Sequence, residues 1–375
     1  MLLSRSHSDR IAIAGLMKKR ANKTGGAIVF LAIVPFSVNA SAQTGNWTTP
    51  VSGYVYDSIN RSIRPVAGSI GAALLGPSVA GGIDSLSVAP NQKSALAESN
   101  GLTVWIPDLS AAEAFQSLDR VPLAQQTFWA ADANQAAILK SRAQIVWLTN
   151  LSSRPVPLSS WNLESYNPTV STSLTSADAR RIGSRRQQTV WSLLAADSSA
   201  NQVLLVSRTG ENWQIWLTSS TVPPMNIPFS GHPVAAAFAP GSSGVYVADA
   251  LNHQIVQIQN LEATPVFTTV VFSDVYVKDP SALVMSSDGN RLFVADRADC
   301  VIRVFDVSAR SSGSAASVSP IAELPSGAVP ASLTSFAPDR FLMNAGDVGR
   351  QFVNEPFYFL TTNVPATISF VPRGQ

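Results

Sequence analysis

Three residues that could act together in chemistry lie within a short stretch of the chain: His232, Asp249 and His253. The two histidines are the only ones after residue 42. Two imidazoles and a carboxylate could ligate a metal ion or share a proton. A structural interpretation competes with this one, because Asp and Asn in a short turn accept and donate hydrogen bonds to nearby main-chain groups. We expect Asp249 and Asn252 to be turn residues and keep the three as candidate ligand-binding residues.

Two further carboxylates, Asp84 and Asp279, each precede an apolar segment and could supply oxygen ligands. Established catalytic patterns are missing from the sequence: it has no zinc-spaced set of Cys and His and no phosphate-binding glycine loop. The GSSG at 241–244 has the wrong spacing for a nucleophile elbow and is typical of a turn. The sequence therefore predicts no catalytic residue, no metal and no cofactor.

A repeated strand pattern must position these side chains. Seven short β-branched or aromatic segments, each ending in turn formers, align without gaps. They begin at Gly53, Thr103, Ile145, Gln214, Ile255, Ile302 and Phe357. Six of them follow an apolar strand, a turn and a second apolar strand, and most precede a polar edge strand. Four antiparallel strands every 40 to 55 residues predict an all-β chain folded as a β-propeller.

The number of blades is open between six and seven. The hairpin at 53–68 resembles the third and fourth strands of a blade, without a first or second strand. It joins the last blade or forms a reduced seventh one. We expect a ring closed by this N-terminal hairpin, in which residues 50–70 contact the C-terminal blade.

Tryptophan recurs at one position of three third strands, in Trp105, Trp147 and Trp216. We expect these rings to pack between adjacent blades, with an aromatic sugar-binding row as the alternative. Trp129 and Trp191 lie in first strands, near the central channel, and are candidate ligand contacts. In a propeller, His232 and His253 belong to loops that open on the same face.

One interval is about 25 residues longer than its neighbours. The surplus is an inserted loop at about 161–188, which is rich in Ser and Thr and contains Arg180, Arg181, Arg185 and Arg186. Four arginines could hold an anionic group. The alternative is a solvated loop.

Residues 1–42 read as a leader with a signal peptide. A basic stretch after Met17, the better start, precedes an apolar run from Ala27 to Val38, and cleavage is expected after Ala42.

The remainder, 43–375, would form a single propeller domain with 20 basic and 23 acidic residues, which argues against nucleic-acid binding. We expect an exported, periplasmic or extracellular bacterial protein, without a membrane span after cleavage and monomeric. Its single cysteine, Cys300, is expected to be buried.

The segment VYVADALNHQIVQI resembles an NHL-repeat blade, and LFVADRADCVIRVF at 292–305 is a degenerate second copy. The other blades are similar to YVTN and lactonase-type propellers, and the N-terminal GYVYDSINRSIRPVAG resembles uncharacterised secreted propeller proteins of soil bacteria. A lactonase-type resemblance implies a metal at the channel mouth, held by Glu, Asn and Asp. At the matching positions this chain has Asp84, His232 and Asp279, and no glutamate.

Two functions follow from these observations. The favoured hypothesis is a secreted or periplasmic, non-catalytic binding scaffold for a protein, peptide or glycan. The alternative is a metal-dependent lactonase-type hydrolase with Ca or Zn at the central channel mouth, which would require Asp84, Asp279, His232 and His253 to cluster there.

Overall fold

A computed structural model of the chain describes residues 50–69, 71–111, 115–118, 124–140, 143–166, 189–241, 244–272, 275–308, 319–337, 339–345 and 356–372. These residues form seven four-stranded antiparallel sheets, which are the seven blades of a β-propeller. The fold class predicted from the sequence is confirmed, and the number of blades is seven. The predicted leader lies outside the described residues. Within the described residues, no helix has the length and apolarity needed to cross a membrane.

The first four blades contain strands β1 to β16. Blade one consists of β1 (Val51–Asp57), β2 (Ser62–Ala67), β3 (Leu74–Leu75) and β4 (Ala80–Gly81). Blade two consists of β5 (Ser85–Val88), β6 (Ala95–Ser99), β7 (Leu102–Ile106) and β8 (Gln116–Ser117). Blade three consists of β9 (Ala124–Trp129), β10 (Gln135–Lys140), β11 (Gln144–Thr149) and β12 (Val156–Asn162). Blade four consists of β13 (Val190–Ala196), β14 (Gln202–Thr209), β15 (Asn212–Ser219) and β16 (Met225–Ile227).

The last three blades contain strands β17 to β28. Blade five consists of β17 (Pro233–Phe238), β18 (Val245–Asp249), β19 (Gln254–Gln259) and β20 (Val266–Phe272). Blade six consists of β21 (Pro280–Met285), β22 (Arg291–Asp296), β23 (Val301–Asp306) and β24 (Ala322–Pro325). Blade seven consists of β25 (Pro330–Ala337), β26 (Arg340–Ala345), β27 (Phe357–Thr361) and β28 (Thr367–Val371). Two short 3₁₀ turns, Leu109–Ala111 and Leu163–Tyr166, follow β7 and β12.

Apolar layers between neighbouring blades form the core. One cluster of buried side chains fills each of the seven interfaces, including the interface between blades seven and one. Middle strands have near-continuous apolar sequences because successive residues face opposite neighbouring blades. In β18, for example, Tyr246 packs toward blade six and Val247 toward blade four. Burial of each such side chain contributes about 1.5–3 kcal/mol.

The N-terminal hairpin closes the ring as predicted and forms a blade of its own. Val55 packs against Phe336 and Phe359 of blade seven, and Tyr54 packs with Ile83 beside blade two. Its strands, however, are not the predicted third and fourth strands. The end of β1 lies beside the start of the channel-lining strand β5. β1 therefore runs antiparallel to the channel-lining strands of its neighbours. There the Tyr56 hydroxyl donates to the Ile83 and Asp84 carbonyls at 3.0 and 2.9 Å. That direction excludes a third strand and fits a second one, because neighbouring strands of an antiparallel blade alternate in direction.

Local contacts support this assignment of β1. The carboxylate of Asp57 accepts hydrogen bonds from the Ile59 amide at 3.3 Å and from Asn60 Nδ2 at 2.8 Å. Asp249 makes the same two types of contact at the end of the second strand of blade five. β1 and β2 are therefore the second and third strands of blade one, and the short β3 and β4 both pair with the outer edge of β2.

The three aligned tryptophans pack between blades as expected. Trp105 contacts blade three and Trp147 contacts blade four, where its Nε1 donates to the Ala200 carbonyl at 3.0 Å. Trp216 faces the preceding blade and lies against Trp191, with ring centroids 5.6 Å apart. Trp216 therefore faces the interface opposite to the one that Trp105 and Trp147 face. Because side chains alternate between the two faces of a strand, this difference corresponds to an offset of one residue in the gapless alignment.

Two other expectations about position need revision. The expected insertion at 161–188 begins later, because Trp161 belongs to β12 and donates its Nε1 hydrogen to the Ser219 carbonyl at 2.8 Å. The four arginines of that segment lie outside the described residues. Cys300 was expected to be buried, but it is only half-buried. It lies in the turn between β22 and β23, at a positive φ of 54°, and not in the strands whose side chains form the apolar layers.

Candidate functional site

A cavity of about 1510 Å³ occupies the centre of the ring, and residues from all seven blades line it. The channel-facing strands contribute mostly apolar and hydroxyl side chains, such as Leu86, Ser87 and Val234. Trp129, one of the predicted candidates, lines this cavity, and its Nε1 donates to the Ser87 hydroxyl at 2.9 Å. This bond fixes the indole between blades two and three, with part of the ring accessible from the cavity.

The described residues that line the cavity include three carboxylates and no Lys, Arg or His. The acids are Glu98, Asp197 and Asp339. Glu98 lies near the end of the second strand β6, whereas Asp197 and Asp339 follow the ends of the channel-lining strands β13 and β25. The Asp339 carboxylate accepts bonds from the Ser287 amide at 2.9 Å and the Ser287 hydroxyl at 2.7 Å. The cavity is therefore largely apolar, with weakly acidic rims.

Asp249 is the last residue of β18, next to the turn that leads to β19, and its side chain is fully buried. Its Oδ1 accepts hydrogen bonds from the amides of His232 (2.9 Å), Leu251 (3.1 Å) and Asn252 (3.3 Å). Its Oδ2 accepts from Asn252 Nδ2 (2.6 Å) and Gln254 Nε2 (3.0 Å). Burial alone raises the pKa of Asp249, but the bonds from Gln254, Asn252 and His232 outweigh it, and the net pKa lies below the ordinary value.

The two histidines flank this turn, but their rings point toward different blades. The His232 ring stacks on Trp213 of blade four, with centroids 3.9 Å apart. His253 Nδ1 lies 3.1 Å from the Val277 carbonyl, at the start of blade six. Burial, and then the charge of Arg208, lower the pKa of His232. Each imidazole has a separate structural partner, so the two do not form a pair.

The other two candidate carboxylates are in ion pairs. Asp84 pairs with Arg61 of blade one and accepts the Asn100 amide at 3.0 Å. Asp279 forms a two-pronged pair with Arg297, at 3.0 Å from Nε and 2.7 Å from Nη2. Neither carboxylate lines the cavity. Among the described residues, no three His, Cys, Asp or Glu side chains are arranged to hold a metal ion.

Trp191 lies away from the cavity surface, although it belongs to a channel-facing strand. Its side chain is 6% exposed and packs in the interface between blades three and four, against Trp216. The lining of that part of the channel comes from Leu193 onward in the same strand. Trp129 and Trp191 thus occupy different environments: one ring borders the cavity, and the other is part of the core.

Several residues that hold this region together were not singled out from the sequence. Gly231 lies against the Asp249 carboxylate, since a Cβ there would be 2.6 Å from Asp249 Cγ. Arg303 is buried and pairs with Asp296 at 3.3 Å and Glu323 at 2.9 Å. A spacing of seven residues from Asp to Arg, shared by Asp296 and Arg303 and by Asp57 and Arg64, could have revealed this pair.

No protein-family model matches the sequence, and no curated protein matches it significantly. Solved structures match its fold. A protein of unknown function from Desulfotomaculum acetoxidans has a TM-score of 0.53 at 12% identity, over 85% of this chain and 95% of that one. Hydrazine synthase of Kuenenia stuttgartiensis has a TM-score of 0.54 at 10% identity, over 86% and 99%.

A putative 6-phosphogluconolactonase from Bacteroides fragilis is similar to the same degree. Its TM-score is 0.53 at 9% identity, over 86% of this chain and 96% of that one. Structural likeness at such low identity shows a common fold and does not transfer an activity. The comparisons therefore support the β-propeller fold alone.

Proposed function

We propose that this protein is a non-catalytic binding scaffold that takes a neutral or basic, largely apolar ligand in its central channel. The observation that carries the proposal is the composition of the cavity: about 1510 Å³ lined by seven blades, with apolar and hydroxyl side chains and acidic groups only at its rims. Cavities of this kind are typical ligand sites. Protein, peptide and glycan ligands were all compatible with the sequence, and the apolar lining favours a polypeptide.

The arrangement of the candidate carboxylates also supports a scaffold. Asp249 receives five hydrogen bonds, and Asp84 and Asp279 are paired with arginines. A lactonase-type centre needs carboxylates that face the channel mouth and are free to hold a metal or accept a proton. The hydrolase therefore stays the rival function, without a geometric observation in its favour.

We further propose, from the leader pattern of residues 1–42, that the chain is exported and acts in the periplasm or outside the cell. A fusion of residues 1–45 to a reporter active only after export tests this point. The same fusion without residues 27–38 is the control, and equal reporter activity in both would contradict export.

A neutral, environment-sensitive dye, N-phenyl-1-naphthylamine, tests binding in the channel. Ser335 is exposed to the cavity on β25, and Ser160 is equally exposed on the outer strand β12. We expect saturable fluorescence enhancement with the native protein, a strong loss in Ser335→Arg and no change in Ser160→Arg. Equal enhancement in all three proteins, or no saturable enhancement, would refute a channel site.

Lactone hydrolysis by the same preparation, measured with Ca²⁺, with Zn²⁺ and with EDTA, tests the non-catalytic part of the proposal. We expect turnover at the rate of the buffer under all three conditions. Metal-dependent hydrolysis that EDTA abolishes would replace the scaffold with the hydrolase.

A further inference from the structure

The inner edge of β1 differs from that of every other second strand. In blades two to seven, a channel-lining strand pairs with the inner edge of the second strand. In blade one, β1 pairs only with β2, and no strand within the described ranges lies along its other edge. That edge faces the cavity, where Tyr54, Val55 and Tyr56 form part of the wall.

The wall of the cavity recedes beside β1. It extends to second-strand residues in both flanking blades, Ala97 and Glu98 in β6 and Leu342 and Asn344 in β26. Elsewhere in the ring, the lining comes mainly from the innermost strands. The widening therefore has the position that the first strand of blade one would take, between β5 and β25.

One end of this gap is closed by a side chain. Gln92 Oε1 accepts the Tyr54 amide at 2.8 Å, and its Nε2 donates to the Phe336 carbonyl. Because main-chain groups alternate between the edges of a strand, the amide and carbonyl of Tyr56 point to the same edge as the Tyr54 amide. Gln92 satisfies the Tyr54 amide, and no strand among the described residues pairs with the amide and carbonyl of Tyr56.

We propose that an extended segment of a partner polypeptide docks antiparallel to β1 inside the channel and completes blade one as its first strand. An exposed row of main-chain donors and acceptors binds an added strand, with side-chain pockets supplying specificity. The proposal rests on the channel function proposed above and specifies its ligand. The occupant is neutral or basic, because the described lining carries Glu98, Asp197 and Asp339 and no cationic side chain.

Blade five shows the chemistry of such an occupant. Its second strand, Val245–Asp249, is the counterpart of β1. Tyr246 packs toward the following blade, as Tyr54 does, and Val247 packs toward the preceding blade, as Val55 does. The strand that pairs with it is Pro233–Phe238, with sequence PVAAAF. Small apolar residues there allow close approach to the neighbouring strands. A segment of mainly small apolar residues would fit beside β1 in the same way.

A synthetic peptide with the sequence of residues 231–239, GHPVAAAFA, followed by two lysines, is the probe. Its binding to the full chain is measured by displacement of N-phenyl-1-naphthylamine and by fluorescence polarisation. One matched control carries two glutamates in place of the lysines. The other is N-methylated at alternate residues on the edge that would pair with β1. This methylation removes hydrogen bonds and leaves the side chains unchanged.

We expect saturable binding of the lysine peptide, at least about tenfold weaker binding of the glutamate and N-methylated peptides, and slower exchange of the Tyr56 amide in the complex. Equal affinities of the parent and N-methylated peptides would overturn strand docking. So would a Tyr56 amide that is already protected in the free protein, because the edge would then be occupied by the chain itself. If the dye binds and no peptide does, strand docking fails and the channel function stands. If neither binds, both fail.

Discussion

Replacement of Asp249 by alanine tests whether the candidate carboxylate is a structural turn residue. Its five donors lose their acceptor in this variant. Leu251 and Asn252 are exposed, so water replaces the bonds of their amides, whereas His232 and Gln254 are half-buried. Two hydrogen bonds to a charged acceptor, at about 1.5–3 kcal/mol each, give a loss of about 3–6 kcal/mol in the free energy of unfolding.

The unfolding entropy of a chain of this size is roughly 0.7 kcal/mol per kelvin, so the expected fall in Tm is about 4–9 °C. Differential scanning calorimetry measures it at neutral pH. Asp132→Ala is the matched control, because the Asp132 carboxylate is exposed and accepts the Asn134 amide at 2.9 Å. The control should shift Tm by about 1 °C or less. Equal shifts in the two variants would refute the structural assignment of Asp249.

Three further outcomes are expected. Gly231→Ala should lower stability by about 1–3 kcal/mol in urea unfolding, because its Cβ would meet the Asp249 carboxylate, whereas Gly81→Ala, with open space around it, should not. Because the pKa of His232 is lowered, the stability that it contributes is complete above about pH 6.5 and is lost as the pH falls below that value. His232→Phe should therefore flatten the decline of Tm between about pH 7 and 5, and an unchanged decline would contradict this. Finally, protein purified without chelator should contain no stoichiometric Ca or Zn by mass spectrometry and keep its Tm in EDTA; a bound metal with an EDTA-sensitive Tm would argue for the hydrolase.

The fold was predictable because its signal repeats. Each blade supplies an apolar middle strand and turn formers at a similar spacing, so an error in one copy leaves the period intact. This repetition does not help with a blade whose sequence differs from that of the other blades. The hairpin at 53–68 was assigned as third and fourth strands, one strand too far along the blade. The contacts of Asp57 with Ile59 and Asn60 show its equivalence with the turn after β18.

The site was less predictable, because sequence indicates which face a loop occupies and not where its side chains point. His232 and His253 flank the same turn, as expected from blade topology. Their rings nevertheless diverge, because Trp213 and the Val277 carbonyl offer separate partners in blades four and six. Likewise, Trp129 and Trp191 occupy similar strands, and the difference between cavity wall and core depends on packing in the neighbouring interface.

Whether a buried aspartate serves a turn or a metal depends on how its oxygens are already used. A carboxylate offers about four lone-pair sites, and Asp249 accepts five hydrogen bonds. A cation could bind there only if it displaced donors that also join β18, β19 and the start of blade five. Metal binding would then destabilise the turn that positions the ligand. The channel has no such conflict, because the edge of β1 faces the cavity with main-chain groups around Tyr56 that no described strand pairs. Recognition in this propeller is therefore expected to depend on main-chain pairing and apolar contacts in the channel, with the aspartates maintaining the blades around it.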